Sequence, residues 1–254
     1  MNVALYVPGS RPDRFDKAAA TGAVVILDLE DSVAPADRPA ARSAVATWLA
    51  TYDASVQVRV NAPGTPDLAA DLAAVPTTVD LRLPKVASPA DLDAVVGRRV
   101  HAIVESAAGV EAAFAIAQRE EVVTLALGEA DLAAELGLDG EEAFDWVRSR
   151  VVVAAAAAGL PAPMMSAYPA VRDLDGLAAS CARGRRLGFR GRTAIHPSQV
   201  AAIREAFAPT EAESAWAREV LAALGSGAVA TLGDGSMVDA AMARRARSIL
   251  GRLD

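Results

Sequence analysis

The chain has 254 residues, 53% of them apolar, and a formal charge of −7. This length suits a single α/β barrel domain, and with no run of Lys or Arg there is nothing to form a nucleic-acid groove or to bind an anionic membrane surface. Its one cysteine, Cys181, rules out an internal disulfide framework and a multi-cysteine zinc site, and fits a reducing compartment.

In chain order, short runs rich in Val and Leu read as strands. They are VALYVP from Val3, VVILDL from Val24, VQVRVN from Val56, VDLRLPKV from Val79, VHAIVE from Val100, VVTLALG from Val122, APMMSA from Ala162 and RTAIHP from Arg192. Helical stretches alternate with them, such as PAARSAVATWLATY from Pro39 and PADLDAVVG from Pro89, the latter opened by Ser88 as cap and Pro89 at the first position. Nearly continuous apolar strands separated by helices predict parallel strands buried on both faces. Eight such units predict a (β/α)8 TIM barrel over about residues 1–208, with an open doubly wound sheet as the alternative. From about 209 to 254 the expectation is a C-terminal helical extension within the same domain, with one amphipathic helix from Thr210 and another from Met237.

The N-terminus is interrupted by Pro8 and Gly9 before it can form a signal peptide. The longest apolar run, from Val151, is broken by Gly159, Pro161 and Pro163. The expectation is a cytoplasmic protein with neither membrane nor nucleic acid as partner.

In a barrel, catalytic groups lie where strands end at their C-terminal side. Alternation places Asp28 and Glu30 on the inner face, Leu27 and Leu29 on the outer one, and Asp31 at the start of the loop. Other strand ends bring Arg59 and Asn61, then Lys85, Glu105 and Asp131 to the same rim. An acidic pair at one strand end commonly just caps the next helix. Several charges on one rim are costly to bury unless they bind something, and a divalent cation held by carboxylates and water is the economical ligand. With only His101 and His196 in the chain, a histidine-rich zinc or iron site is disfavoured. Lys85 is one of two lysines, with Lys17, so a Schiff-base role is a further option. His196, before Pro197, reads as a structural hydrogen-bonding group.

The segments LYVPGSRPDRFDKA, VILDLEDSVAPADRPAAR, RVN, LPKV, IVESAAGVEAAFAIA, LALGEADL, GFRGRTAIHPSQ and DGSMVDAAM occur in the order seen in the HpcH/HpaI aldolase/citrate lyase family, and the chain resembles its citrate lyase β-subunit-like members from about Val3 to Ala241. The resemblance implies a TIM barrel, trimers or larger homo-oligomers such as hexamers, and Mg²⁺-dependent cleavage or formation of a carbon-carbon bond between an acyl-CoA and a small 2-keto acid. It implies Glu105 and Asp131 as metal ligands and Arg59 as the group on substrate carboxylate or carbonyl. Glu30 and Asp31 match an acidic pair beside metal and substrate. Asp239 matches an aspartate that, in some members, completes a neighbouring subunit's site, although it is equally natural as the cap of the final helix. Lys85 becomes a charge partner for Glu30 or substrate, and Arg11 and Arg14 could meet CoA phosphates, a solvated loop being as natural.

The chain departs from the family pattern at APMMSAYPAVRD, at Gly191-Arg192 where Gly-Lys is frequent, and at Ser236 in DGSMVD where a lysine is usual. These positions bear on substrate identity more than on metal binding. The expected substrate is a citryl-, malyl- or citramalyl-CoA-like thioester. Alternatives are a class II aldolase acting on free 2-keto acids, a non-catalytic lyase-complex subunit needing an acyl-carrier partner, and a Schiff-base enzyme at Lys85.

Overall fold

A computed structural model describes residues 2–52, 54–225, 227 and 229–251. They form two compact units, one ending at Ala206 and the other beginning at Phe207. The strands of the first unit are β1 (Val3–Pro8), β2 (Val24–Asp28), β3 (Val56–Arg59), β4 (Asp80–Leu83), β5 (Val100–Val104), β6 (Val122–Leu127) and β7 (Arg192–Ala194). Its helices are α1 (Phe15–Ala19), α2 (Arg38–Leu49), α3 (Pro66–Ala74), α4 (Ala107–Ala117), α5 (Glu129–Leu136), α6 (Asp145–Ala157), α7 (Leu174–Arg186) and α8 (Gln199–Phe207), the last running across the division.

The strands make one parallel, curled half-barrel in the order β6-β5-β4-β3-β2-β1-β7. Each strand is apolar on its helix-facing side; Leu27, Leu81 and Leu83 are fully buried there. The expected strand APMMSA does not form as a strand. Met164 and Met165 make one parallel bridge each, to Ala126 and Arg192, so this segment lies between β6 and β7. Pro161 and Pro163 have no amide hydrogen to give a ladder, which accounts for the short pairing. The stretch after Pro89 is a 3-10 helix, Pro89–Val95, rather than an α-helix, with the Asp91 carboxylate accepting from the amides of Ala87 and Ser88 at 2.9 and 2.7 Å.

In the second unit, α9 (Glu211–Leu224) and α10 (Ala240–Leu250) enclose a core of Ala217, Val220, Val238, Ala246 and Ile249. Thr210 caps α9 through a reciprocal pair of bonds with Glu213. Two features differ from the sequence expectation. A hairpin of β8 (Val229–Thr231) and β9 (Met237–Asp239) joins the helices, and α10 starts at Ala240 rather than Met237. Each strand is three residues long, too short for a periodic signal. Among the described residues no helix is long and apolar enough to cross a membrane.

The β1 to β7 junction depends on a close approach of backbones. Arg192 N donates to Asn2 O at 3.1 Å, and a Cβ on Gly191 would collide with the Asn2 backbone. Gly191→Ala is expected to destabilise by roughly 1–3 kcal/mol through overpacking. Scanning calorimetry should show the melting temperature falling by a few degrees up to about ten; an unchanged value removes this constraint.

Candidate active site

Asp28 and Arg59 are directly opposed in the β2/β3 register, so their inward side chains meet without loop rearrangement. Arg59 Nε and Nη2 donate to the two Asp28 carboxylate oxygens at 2.6 and 2.7 Å, a bidentate fork, and Nη1 donates to Asp31 at 3.0 Å. Glu30, 4% exposed, has Arg59 Nη1 at 2.9 Å and Lys85 Nζ at 3.4 Å. Neither of its oxygens accepts a well-directed hydrogen bond, so Glu30 is ion-paired but poorly solvated. Burial pushes its carboxyl up to about 7, with Arg59 opposing the rise and Asp31 adding to it. Burial acts upward on Asp28 too, but the Arg59 fork outweighs it and holds Asp28 below the usual carboxylate range.

Glu105 follows β5, and its Oε1 accepts from Lys85 N at 2.6 Å. That amide points at Glu105 because Lys85 has φ +56°, a left-handed conformation found at no other non-glycine residue among those described. The opposite side of Glu105 rests on Gly128, where a Cβ would collide with its carboxylate and its own Cβ. Asp131, in the first turn of α5, faces it. Burial raises the Glu105 carboxyl to about 7; the Lys85 amide opposes this, and the charges of Asp131 and Glu30 reinforce it.

These groups border a cavity of about 680 Å³ lined by Tyr6, Asp28, Asp31, Arg59, Arg82, Glu105, Asp131 and Tyr168 among others. Its lining also includes Arg148, 1% exposed, forked onto Glu129 at 2.7 and 2.8 Å and bonded to Glu141 at 2.7 Å. Ser180 donates to Glu141 and accepts from Arg192, each at 2.7 Å, and so joins the two arginines' surroundings. Sequence patterning does not single out Tyr6, Arg82, Gly128 or Arg148. For Arg82 a signal was present, a cation flanked by Leu81 and Leu83 within a strand.

The other candidates divide. Lys85 is not a lining residue, its side chain is 55% exposed, and Glu30 raises its pKa; a Schiff-base nucleophile needs the opposite, so that alternative loses its support. Asn61 turns away from the cavity lining and bonds Leu29 O at 2.9 Å and Asp71 at 2.8 Å, fastening the loop to α3. His196 lies 2.7 Å from Ser198 Oγ, a local loop bond. Arg11, Arg14, Lys17 and His196 border a separate cavity of about 520 Å³ beside β1, and Arg11 is paired with Asp13 at 2.9 Å. Asp239 lies in the second unit and caps α10, accepting from the amides of Ala241 and Met242 at 2.8 and 3.0 Å.

No cluster of three or more His, Cys, Asp or Glu suited to a metal occurs among the described residues. The pair Glu105 and Asp131 still fits a hard cation that retains water: a buried and an exposed carboxylate repel at the cavity edge, an oxygen-only donor set, with open cavity for further oxygen ligands.

Acidic and basic groups at the C-terminal ends of parallel strands lie where enzymes of α/β-barrel architecture carry their catalytic residues. Residues 2–197 match the HpcH/HpaI aldolase/citrate lyase family model, and the chain belongs to that family. It is 39% identical to a citrate lyase subunit beta-like protein of Mycobacterium tuberculosis, over 98% of this chain and 94% of that one. It is 33% identical to the L-malyl-CoA/beta-methylmalyl-CoA lyase of Rhodobacter capsulatus, over 97% and 92%. The solved structure of the Mycobacterium tuberculosis protein CitE in complex with magnesium, acetoacetate and coenzyme A superposes with a TM-score of 0.86 at 37% identity, covering 99% of this chain and 97% of that one.

A raised carboxyl binds its proton more tightly folded than unfolded, so stability falls as pH rises from the ordinary carboxylate value of about 4.5 to the folded value of about 7 and does not return above it. Metal-free protein is expected to melt at a lower temperature at pH 8 than at pH 6, and Glu105→Gln should narrow that difference; an equal gap in the variant contradicts the assignment. Gly128→Ala should displace Glu105 and weaken Mg²⁺ binding by tenfold or more, about 1.4 kcal/mol, as read by calorimetric titration.

Proposed function

We propose that this chain is a Mg²⁺-dependent carbon-carbon lyase or synthase that interconverts a β-hydroxy acyl-CoA of the citryl-, malyl- or citramalyl-CoA kind with an acyl-CoA and a small 2-keto acid. The observation that carries this is the repelling pair Glu105 and Asp131 at the edge of a cavity that also holds Arg59. Relatives named as malyl-CoA lyase, and one solved with magnesium and coenzyme A, support it.

Cleavage removes the hydroxyl proton, breaks the bond between the hydroxyl-bearing carbon and the carbon next to the thioester, and leaves the electron pair on the thioester as an enolate that is then protonated. Bound Mg²⁺ supplies Lewis-acid polarisation of the hydroxyl and adjacent carboxylate oxygens. Glu105 and Asp131 would hold the ion. The Lys85 amide and the glycine face of residue 128 fix the orientation of Glu105. Arg59 keeps its charge at any working pH, and Asp28 locks its plane, so its remaining N–H groups stabilise developing negative charge on substrate oxygen without reorganising. Glu30 and Asp31 set the position of Arg59 from the other side. Lys85 tempers the charge of Glu30. Arg11 and Arg14, at the smaller cavity, are assigned to the phosphates of coenzyme A. Asp239 is assigned as the proton acceptor, supplied by a neighbouring copy.

The same proposal includes a closed (β/α)8 barrel, supported by the bridges of Met164 and Met165 between β6 and β7. It includes one domain with a helical extension from about residue 209, a trimeric or hexameric assembly, and a cytoplasmic setting, where CoA thioesters are made and used. An acyl-carrier partner is required only if free thioesters are not substrates.

Purified protein incubated with citryl-, malyl- and citramalyl-CoA, with and without Mg²⁺, should release keto acid from one thioester only when the metal is present. Glu105→Gln and Asp131→Asn should each lower kcat at least 1,000-fold, about 4 kcal/mol, with far-ultraviolet circular dichroism unchanged. Wild-type turnover by either variant at limiting Mg²⁺ contradicts the ligand assignment. Mg²⁺ binding without cleavage of any thioester favours a class II aldolase on free 2-keto acids or a non-catalytic lyase-complex subunit.

A further inference from the structure

Four arginines line the main cavity: Arg59, Arg82, Arg148 and Arg192. Arg59 is neutralised by Asp28, Glu30 and Asp31, and Arg148 by Glu129 and Glu141. Arg192 pairs with no carboxylate among the described residues, but it donates to Ser166 O at 2.9 Å and Ser180 Oγ at 2.7 Å. Arg82 is different. It is 3% exposed, its Nε has no hydrogen-bond partner, and among the described residues its one bond runs from Nη1 to Tyr6 Oη at 3.2 Å. The guanidinium carbons of Arg82 and Arg59 lie 5.6 and 5.0 Å from the centroid of the Tyr6 ring, which supports both cations by quadrupole attraction but balances neither charge. The adjacent imidazole in the ladder, His101, has its pKa lowered by burial and by Arg82 against the pull of Asp80, so it stands neutral beside the guanidinium. A buried guanidinium facing a cavity without a counter-ion is a standing cost that an anionic ligand removes.

Its depth indicates which anion. Arg82 comes three residues before Lys85, whose amide bonds Glu105, so its backbone lies at most about 10 Å below the Glu105 carboxylate at ~3.3 Å per residue, and its long side chain spans part of that interval. We propose that Arg82 binds a carboxylate at the end of the substrate remote from the metal, and so selects a 2-keto acid half that carries a second carboxylate. This rests on the proposed lyase function, in which the carboxylate next to the hydroxyl faces Glu105 and Asp131 and leaves a remote one free for Arg82.

Oxaloacetate and pyruvate differ by that one carboxylate. Calorimetric titration of both, freshly dissolved and with Mg²⁺ present, should show wild-type protein favouring oxaloacetate. Arg82→Met should lose oxaloacetate affinity by roughly tenfold to a hundredfold, as for a charged hydrogen bond, and keep pyruvate affinity within about twofold. Arg82→Lys should retain part of the preference. An unchanged ratio in Arg82→Met, a parallel loss of both acids, or a wild-type protein with no preference overturns the assignment while thioester cleavage stands. Wild-type protein that binds neither acid and cleaves no thioester overturns the lyase reading and this inference together.

Discussion

Asp28, Glu30, Asp31 and Glu105 sit at one end of a parallel sheet, three of them buried, and Arg59 is the cation that makes the crowding tolerable. Without it, ionising that many carboxylates in a low-dielectric rim would be prohibitive, and they would protonate instead. The balance is incomplete. Asp28 takes the better part of the guanidinium and stays firmly charged, whereas Glu30 and Glu105 are left near neutrality. The rim is thus prepared for one more positive charge, and the cavity beside Glu105 and Asp131 is where it fits.

The strand register makes this arrangement inexpensive to hold. Asp28 and Arg59 are ladder neighbours, Arg59 and Arg82 are ladder neighbours, and Arg82 and His101 follow, so one row across β2 to β5 carries the inward polar groups. The loops then have short tasks. Asn61 and Asp71 fasten the loop after β3, with Arg42 joining Asp71 to Asp67 through a pair of ion contacts. A rigid row of this kind supports electrostatic preorganisation, since its dipoles and charges do not need to move as charge develops on a substrate.

Much of this was legible in the residues. Alternation alone placed Asp28 and Glu30 inward, and the strand ends supplied Arg59, Glu105 and Asp131. The segment at Met164 and Met165 has the apolar composition of a strand, yet flanking prolines limit it to two bridges. The hairpin ending at Asp239 was hidden because three residues carry no period and the following helix extends the pattern backwards. Arg148 and Arg192 were hidden for a different reason. An arginine in a helix or at a strand start normally reaches water, and only the tertiary fold shows both to be 1% exposed. The left-handed backbone at Lys85 has no sequence signal, because such positions usually belong to Gly or Asn.

That backbone has a consequence for inheritance. The contact that aims Glu105 comes from the main-chain N–H of residue 85, a group that nineteen of the twenty coded amino acids possess. Random substitution at this codon alters the charge near Glu30 and the ease of adopting φ +56°, but it does not delete the donor. Proline is the exception on both counts, lacking the hydrogen and fixed at negative φ. The aim of a central acidic group is therefore insulated from most genetic drift at the residue that sets it, while the ammonium four carbons away remains free to vary.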